Sequence, residues 1–300
     1  MHPSIQRRLL RRFCMLLGSG AHCLARWGYA LERWPVESQA QRRILRRNVW
    51  LKGAYEGRRV FVVGNGPSLG RVDLTLLAGE VVFAVNGFAR HPILDIWQPT
   101  ILSLLDPLYY SHPEAVSREM DFMLGRMPKT RFFVPLAGHG VFEATLGFPS
   151  DRTFYAHLLS DISFHEQFAL DLTRGIPGAY NVILFSLMLA LYSGASEIIT
   201  IGLDHDYLAS PREERRFAAN YQEGIAKERV QHITELSYLQ LITMMRMMFQ
   251  GYEILRGLAR SRGQHIRNAT PGGYLDVFTR VDYNALFAVG ASDFGKTEDR

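Results

Sequence analysis

The sequence predicts an α/β fold: a doubly wound, mostly parallel, Rossmann-like sheet preceded by an N-terminal amphipathic helical arm. Three observations predict it. Short β-branched and aromatic runs recur between residues 58 and 201, each stopped by small or polar residues, as buried parallel strands are. Segments long enough for crossover helices lie between several of them. The chain has 300 residues, 47% hydrophobic and 21% charged, the composition of a globular protein with a full core, which excludes disorder for most of its length.

Taken in order, residues 1–50 form a basic segment. Leu9, Leu10, Phe13, Leu16, Leu17 and Leu24 recur at helical spacing, with Arg7, Arg8, Arg11 and Arg12 among them and Trp27, Trp34 and Trp50 following. Such a helix can lie in an anionic inner-membrane surface. It can equally pack on the body or on a second subunit of a homo-oligomer, because amphipathicity alone does not discriminate. The apolar run is too weak for a secretory signal. If Cys14 and Cys23 share one helix they are separated by about 13 Å of axial rise, too far for a disulfide, and a cytoplasmic location, peripheral to the inner membrane, is expected. The formal charge of +5 suggests an anionic partner, but much of the excess lies before residue 50. The basic and aromatic residues form no nucleic-acid-binding motif, so no nucleic acid is expected.

The body is expected over 51–290, with 291–300 a flexible tail. Its strands are Val60–Val63, Val81–Val85, Thr100–Leu105, Arg131–Val134 and Glu197–Ile201. A buried helix runs from Asn181 to Ser193, stopped by Gly194, and its apolar stretch is too short to span a membrane. A second helix, rich in Leu, Met and Tyr, is expected from Ile233 to Gly251.

Ligands of such sheets sit beyond the carboxyl ends of the strands. The residues there form a polar set: Gly64, Asn65, Gly66, Pro67 and Ser68 after the first strand, then Asn86, Asp106, Asp204, and further on Asn268 and Thr270. The Gly64–Ser68 stretch lacks the third glycine of the dinucleotide fingerprint and the Lys-Ser/Thr ending of a P-loop. It can still receive phosphate, since its glycines allow close backbone approach, Pro67 suits a first helical position and a helix N-terminus attracts negative charge. A plain strand-to-helix turn is the alternative. Asp204-His205-Asp206 could ligate a divalent metal or form a solvated loop.

Gly64-Asn65-Gly66-Pro67-Ser68-Leu69, Phe83-Ala84-Val85-Asn86-Gly87-Phe88 and the stretch from Leu189 to Gly202-Leu203-Asp204 resemble the motifs of bacterial sialyltransferases of the Campylobacter type. Asn268-Ala269-Thr270-Pro271-Gly272-Gly273 is closer to the related motility accessory factor glycosyltransferases and 6-hydroxymethylpterin pyrophosphokinase-like proteins. The resemblance implies an inverting transferase that moves a nonulosonic acid or Kdo-like sugar from a CMP-activated donor, without an essential metal or other cofactor, to a glycan or glycolipid of lipopolysaccharide or capsule. It places Asn65 and Asn86 on the donor nucleotide, Tyr207 and Tyr221 on the departing phosphate, and His232 as general base, with His205 its competitor. Asp106 stands where the family has asparagine. The alternative is a pyrophosphokinase with ATP and magnesium held by the acids near Asp204. From another class, a non-catalytic, membrane-tethered scaffold would leave the polar strand ends unexplained.

Overall fold

A computed structural model describes residues 38–162, 168–206, 208–209 and 236–288. Its centre is an eight-stranded sheet in which every pairing is parallel, as expected. In chain order the strands are β1 (Arg59–Val63), β2 (Val81–Val85), β3 (Ile101–Ser103), β4 (Arg131–Pro135) and β5 (Thr153–Ala156). After the separate pair β6 (Leu158–Asp161) and β7 (Ile176–Gly178) come β8 (Glu197–Ile201), β9 (His265–Asn268) and β10 (Thr279–Arg280). Across the sheet the order is β10-β9-β8-β1-β2-β3-β4-β5. The chain therefore builds outward from β1 in one direction, returns to β1 with β8, and builds outward in the other.

Strands of this kind are apolar on both faces because both are covered. Val60 and Val62 of β1 face a core shared with two helices, while Phe61 and Val63 face the opposite core. On the first side lie α3 (Val182–Tyr192) and α4 (Tyr238–Ser261), and on the second α2 (Pro113–Arg126) and a series of short 3₁₀ turns, after α1 (Gln39–Arg46) has opened the described chain. Every residue of α3 is buried, which explains why its sequence shows no polar face. Asn181 caps it through Oδ1, which accepts from the Leu184 N–H at 2.8 Å, and Gly194 ends it at φ +80°.

Two expectations are revised. The links β1–β2 and β2–β3 hold 3₁₀ turns in place of crossover helices, among them Pro67–Arg71, Leu74–Leu77, Asn86–Arg90 and Pro92–Asp95. Frequent Pro, Gly and Asp in these short links leave no uninterrupted helical stretch. The helix expected to stop at Gly251 continues to Ser261. A Cβ on Gly251 would sit 2.9 Å from the Leu184 side chain, so this glycine lets α4 approach α3 instead of ending a helix. Residues 38–51, the end of the basic segment, are built into the body. Leu45, Asn48 and Leu51 are fully buried, and the Asn48 amide donates to the carbonyls of Tyr155 and Leu172 at 2.8 and 2.7 Å. Trp50 packs on Phe133 and Phe154. Residues 1–37, with Cys14 and Cys23, and the tail 291–300 lie outside the described residues. Among the described residues no helix is long and apolar enough to cross a membrane.

Candidate functional site

β1 and β8 are neighbours whose chains leave in opposite directions, so their carboxyl ends form the switch point of the sheet. The strand-end residues singled out in the sequence belong to β9, β8, β1, β2 and β3, five consecutive strands along this edge. The strand order lines them along one edge of the sheet, and the structure gives them unequal work.

The turns after β1 and β8 are packed on each other. The Gly64 N–H donates to the Ile201 carbonyl at 2.8 Å and the Gly66 N–H to the Gly202 carbonyl at 2.9 Å. A Cβ on Gly64 would lie 2.5 Å from the Gly202 oxygen, and one on Gly66 would overlap the Asp204 carboxylate at 1.8 Å. The two glycines thus let one turn sit on the other. Pro67 opens a five-residue 3₁₀ turn and not a long helix. The carboxylate beside that turn is the protein's own: Asp204 Oδ2 accepts from Ser68 Oγ at 2.7 Å and from the Ser68 N–H at 3.4 Å. Arg71 approaches the same carboxylate at 3.9 Å and donates to the Pro271 carbonyl. Burial raises the Asp204 pKa, a shift that the Ser68 hydrogen bonds oppose.

The β9 loop braces these turns. Asn268, fully buried, donates to the Leu275 carbonyl at 2.9 Å and accepts from the Thr270 N–H at 3.0 Å. Thr270 Oγ1 accepts from the Leu203 N–H at 3.1 Å. Arg280 donates to the carbonyls of Thr270, Gly272, Gly273 and Leu275 and so staples the loop. Gly273 lies against the Asp204 backbone, where a Cβ would come within 2.7 Å, and the Tyr274 N–H donates to the Asp204 carbonyl at 2.8 Å.

The β2 side differs. Asn65 Nδ2 donates to the Val85 carbonyl at 2.8 Å and ties the β1 turn to the residue before Asn86. Asn86 is 4% exposed and held at φ +45°. Its Oδ1 is buried and meets no hydrogen-bond donor among the described residues. Asparagine tolerates this conformation, but an unsatisfied buried amide oxygen costs about 1–3 kcal/mol, and such groups cluster where a ligand supplies the missing contact. Beyond β3, Asp106 Oδ1 accepts from the Leu108 N–H at 3.0 Å and closes a turn over Pro107.

His205 is the other non-glycine residue with positive φ among the described residues, at +48°. Its Nε2 lies 3.0 Å from the hydroxyl of Tyr252 on α4, and the rings of Phe249 and Tyr252 meet it edge-on. Burial pulls its pKa down to about 4. Asp204 therefore turns to Ser68 and His205 to Tyr252, which separates two donors that a metal would need together. No group of three His, Cys, Asp or Glu side chains suited to a metal occurs among the described residues.

Tyr207, Tyr221, His232 and the stretch Pro211–Arg216 lie outside the described residues. Sequence reasoning passed over Arg71, Tyr252 and Arg280. Tyr252 lies within a Leu- and Met-rich helix, and Arg71 and Arg280 are isolated cations in loops and edges, so no local pattern marks them.

No family model and no curated protein matches this chain. Solved structures do resemble it at low identity. The sialyltransferase CstII from Campylobacter jejuni with cytidine-5'-monophosphate is 13% identical over 75% of this chain and 85% of its own, with a TM-score of 0.45. CST-II with a trisaccharide acceptor and CMP gives 13%, 75%, 86% and 0.42. The MAf glycosyltransferase from Magnetospirillum magneticum AMB-1 is 15% identical over 81% of this chain and 38% of its own, with a TM-score of 0.45. At this distance the likeness says nothing of substrate or mechanism.

Proposed function

We propose that this chain is a glycosyltransferase that takes a sugar from a CMP-activated donor. The observation that carries the reading is Asn86, held at positive φ with its amide oxygen buried and unmatched among the described residues, beside Asn65 on the β1–β2 side of the switch point. Two adjacent amides offer both donors and acceptors, as recognition of a nucleotide base and ribose requires. They are the two positions that the sialyltransferase-like motifs assign to the donor.

In this reading the acceptor hydroxyl attacks the anomeric carbon from the face opposite the phosphate. The carbon–oxygen bond to CMP breaks, its electron pair passes to the phosphate, and the configuration inverts. Tyr207 or Tyr221 donates to that phosphate as charge builds, and His232 takes the hydroxyl proton. The donor sugar is a nonulosonic acid or Kdo-like sugar, and the acceptor a glycan or glycolipid of lipopolysaccharide or capsule. The basic residues 1–37 suit an acceptor presented at an anionic inner-membrane face.

Thermal unfolding with a nucleotide panel tests the donor class, because a ligand that binds only the folded state raises its stability. CMP and CTP are expected to raise Tm, without magnesium and by more than ATP does. A rise with ATP alone, and only when magnesium is present, would overturn the reading in favour of a pyrophosphokinase.

A further inference from the structure

His205 stands at the switch point in a strained backbone conformation, next to Asp204, and the chemistry it can do depends on which ring nitrogen carries the proton. Three hydrogen bonds decide this. Asn181 Oδ1 is committed as the cap of α3, accepting from the Leu184 N–H at 2.8 Å. That fixes the side-chain amide the right way round, so Nδ2 is the group that lies 2.9 Å from the Tyr252 hydroxyl and donates to its oxygen. The phenol already accepts at that oxygen, and at 3.0 Å it meets His205 Nε2. A phenol O–H is a stronger acid than a neutral imidazole N–H, and an imidazole nitrogen is a stronger acceptor than a phenol oxygen. The hydrogen bond therefore runs from Tyr252 to His205.

We infer that Tyr252 and Asn181 are positioning residues that hold His205 as a neutral imidazole with its proton on Nδ1 and its Nε2 lone pair engaged. The order of donation, from the cap of α3 through α4 to the turn after β8, gives that turn a donor of fixed polarity. It also removes His205 from the groups able to take a proton from an acceptor hydroxyl. The assignment stands on the hydrogen bonds alone, and its consequence for catalysis rests on the transferase reading. Burial of the ring acts in the same direction by disfavouring the charged form.

Two-bond ¹H–¹⁵N correlation spectra of the full chain, labelled with ¹⁵N, read the tautomer at neutral pH. The His205 signals are identified by their loss in His205→Asn. The expected pattern is that of a proton on Nδ1 alone. Tyr252→Phe removes the donor, and the pattern should shift toward a mixture with the Nε2-protonated form. Asn181→Asp, kept ionised by the Leu184 N–H and the start of α3, should accept the phenol proton and drive His205 to the Nε2-protonated form. A wild-type imidazole that is charged or protonated on Nε2 would overturn the inference. So would a tautomer unmoved by Tyr252→Phe, a result readable even where Asn181→Asp does not fold. Neither outcome touches the nucleotide panel, so failure here and failure of the transferase reading are separable.

Discussion

The two sides of the switch point use similar residues to opposite ends. On the β8–β9 side, Asp204 bonds to Ser68 of the β1 turn, Asn268 and Thr270 bond to backbone, and Arg280 closes the loop over them. On the β1–β2 side, Asn65 makes one bridging bond and Asn86 keeps a buried oxygen with no donor among the described residues. The difference teaches that polarity at a strand end is not itself a sign of binding. A polar group whose partners are internal is a brace, and one left buried and unmatched is a candidate for a ligand.

Substitutions can break this contrast. The largest effect is expected at Gly66, where a methyl group would enter the Asp204 carboxylate. Gly66→Ala should lower unfolding stability in urea by about 3 kcal/mol or more, as overpacking against a fixed neighbour does. A variant of wild-type stability would mean that the two turns are free to separate.

The next effect concerns pH and is sharpened by His205. Its folded pKa of about 4 lies below the ordinary 6.5, so the unfolded chain binds the proton first as pH falls. The contribution is complete above about pH 6.5 and is lost as pH falls toward about 4, a total on the order of 3 kcal/mol. Asp204 works the other way. With its pKa raised, it contributes stability at low pH that is lost as pH rises through the folded value. His205→Asn, whose side chain tolerates positive φ, should flatten the acid limb of the stability curve. Equal acid slopes in wild type and variant would show that the imidazole is not held neutral.

The smallest change in stability is expected at Asn86, and it is the most informative. Asn86→Gly relieves the positive φ and removes the unmatched oxygen, so stability should hold or rise by about 0.5 kcal/mol. The Tm response to CMP should disappear. A variant that loses stability yet keeps its response to CMP would place Asn86 with the braces.

Much of the architecture was legible because parallel strands buried on both faces write themselves as unbroken apolar runs, as Val60–Val63 and Val81–Val85 do. β9, with alternating polar residues in His265-Ile266-Arg267-Asn268, carries no such run and was passed over, as was β5, Thr153-Phe154-Tyr155-Ala156. Gly251 misled for a physical reason, since glycine allows both an ending and a close approach, and only the neighbouring helix distinguishes them. Within the site, the location of the strand ends followed from sequence. Which of them face inward did not, because Asp204 and Ser68 are 136 residues apart and meet only through the pairing of β1 with β8. Tyr207, Tyr221 and His232 lie outside the described residues.

The complete burial of α3 has one more consequence, for the order in which the protein opens. Its backbone amides sit beneath α4 on one side and against the strands of the sheet on the other, with a Ser186–Ser103 hydroxyl contact of 3.0 Å sealed between. A fluctuation that uncovers them must displace α4 or the sheet. Deuterium uptake along Val182–Tyr192 is then expected to be among the slowest of the described residues and to report openings close to global, while the 3₁₀ turns over the opposite face exchange through local openings.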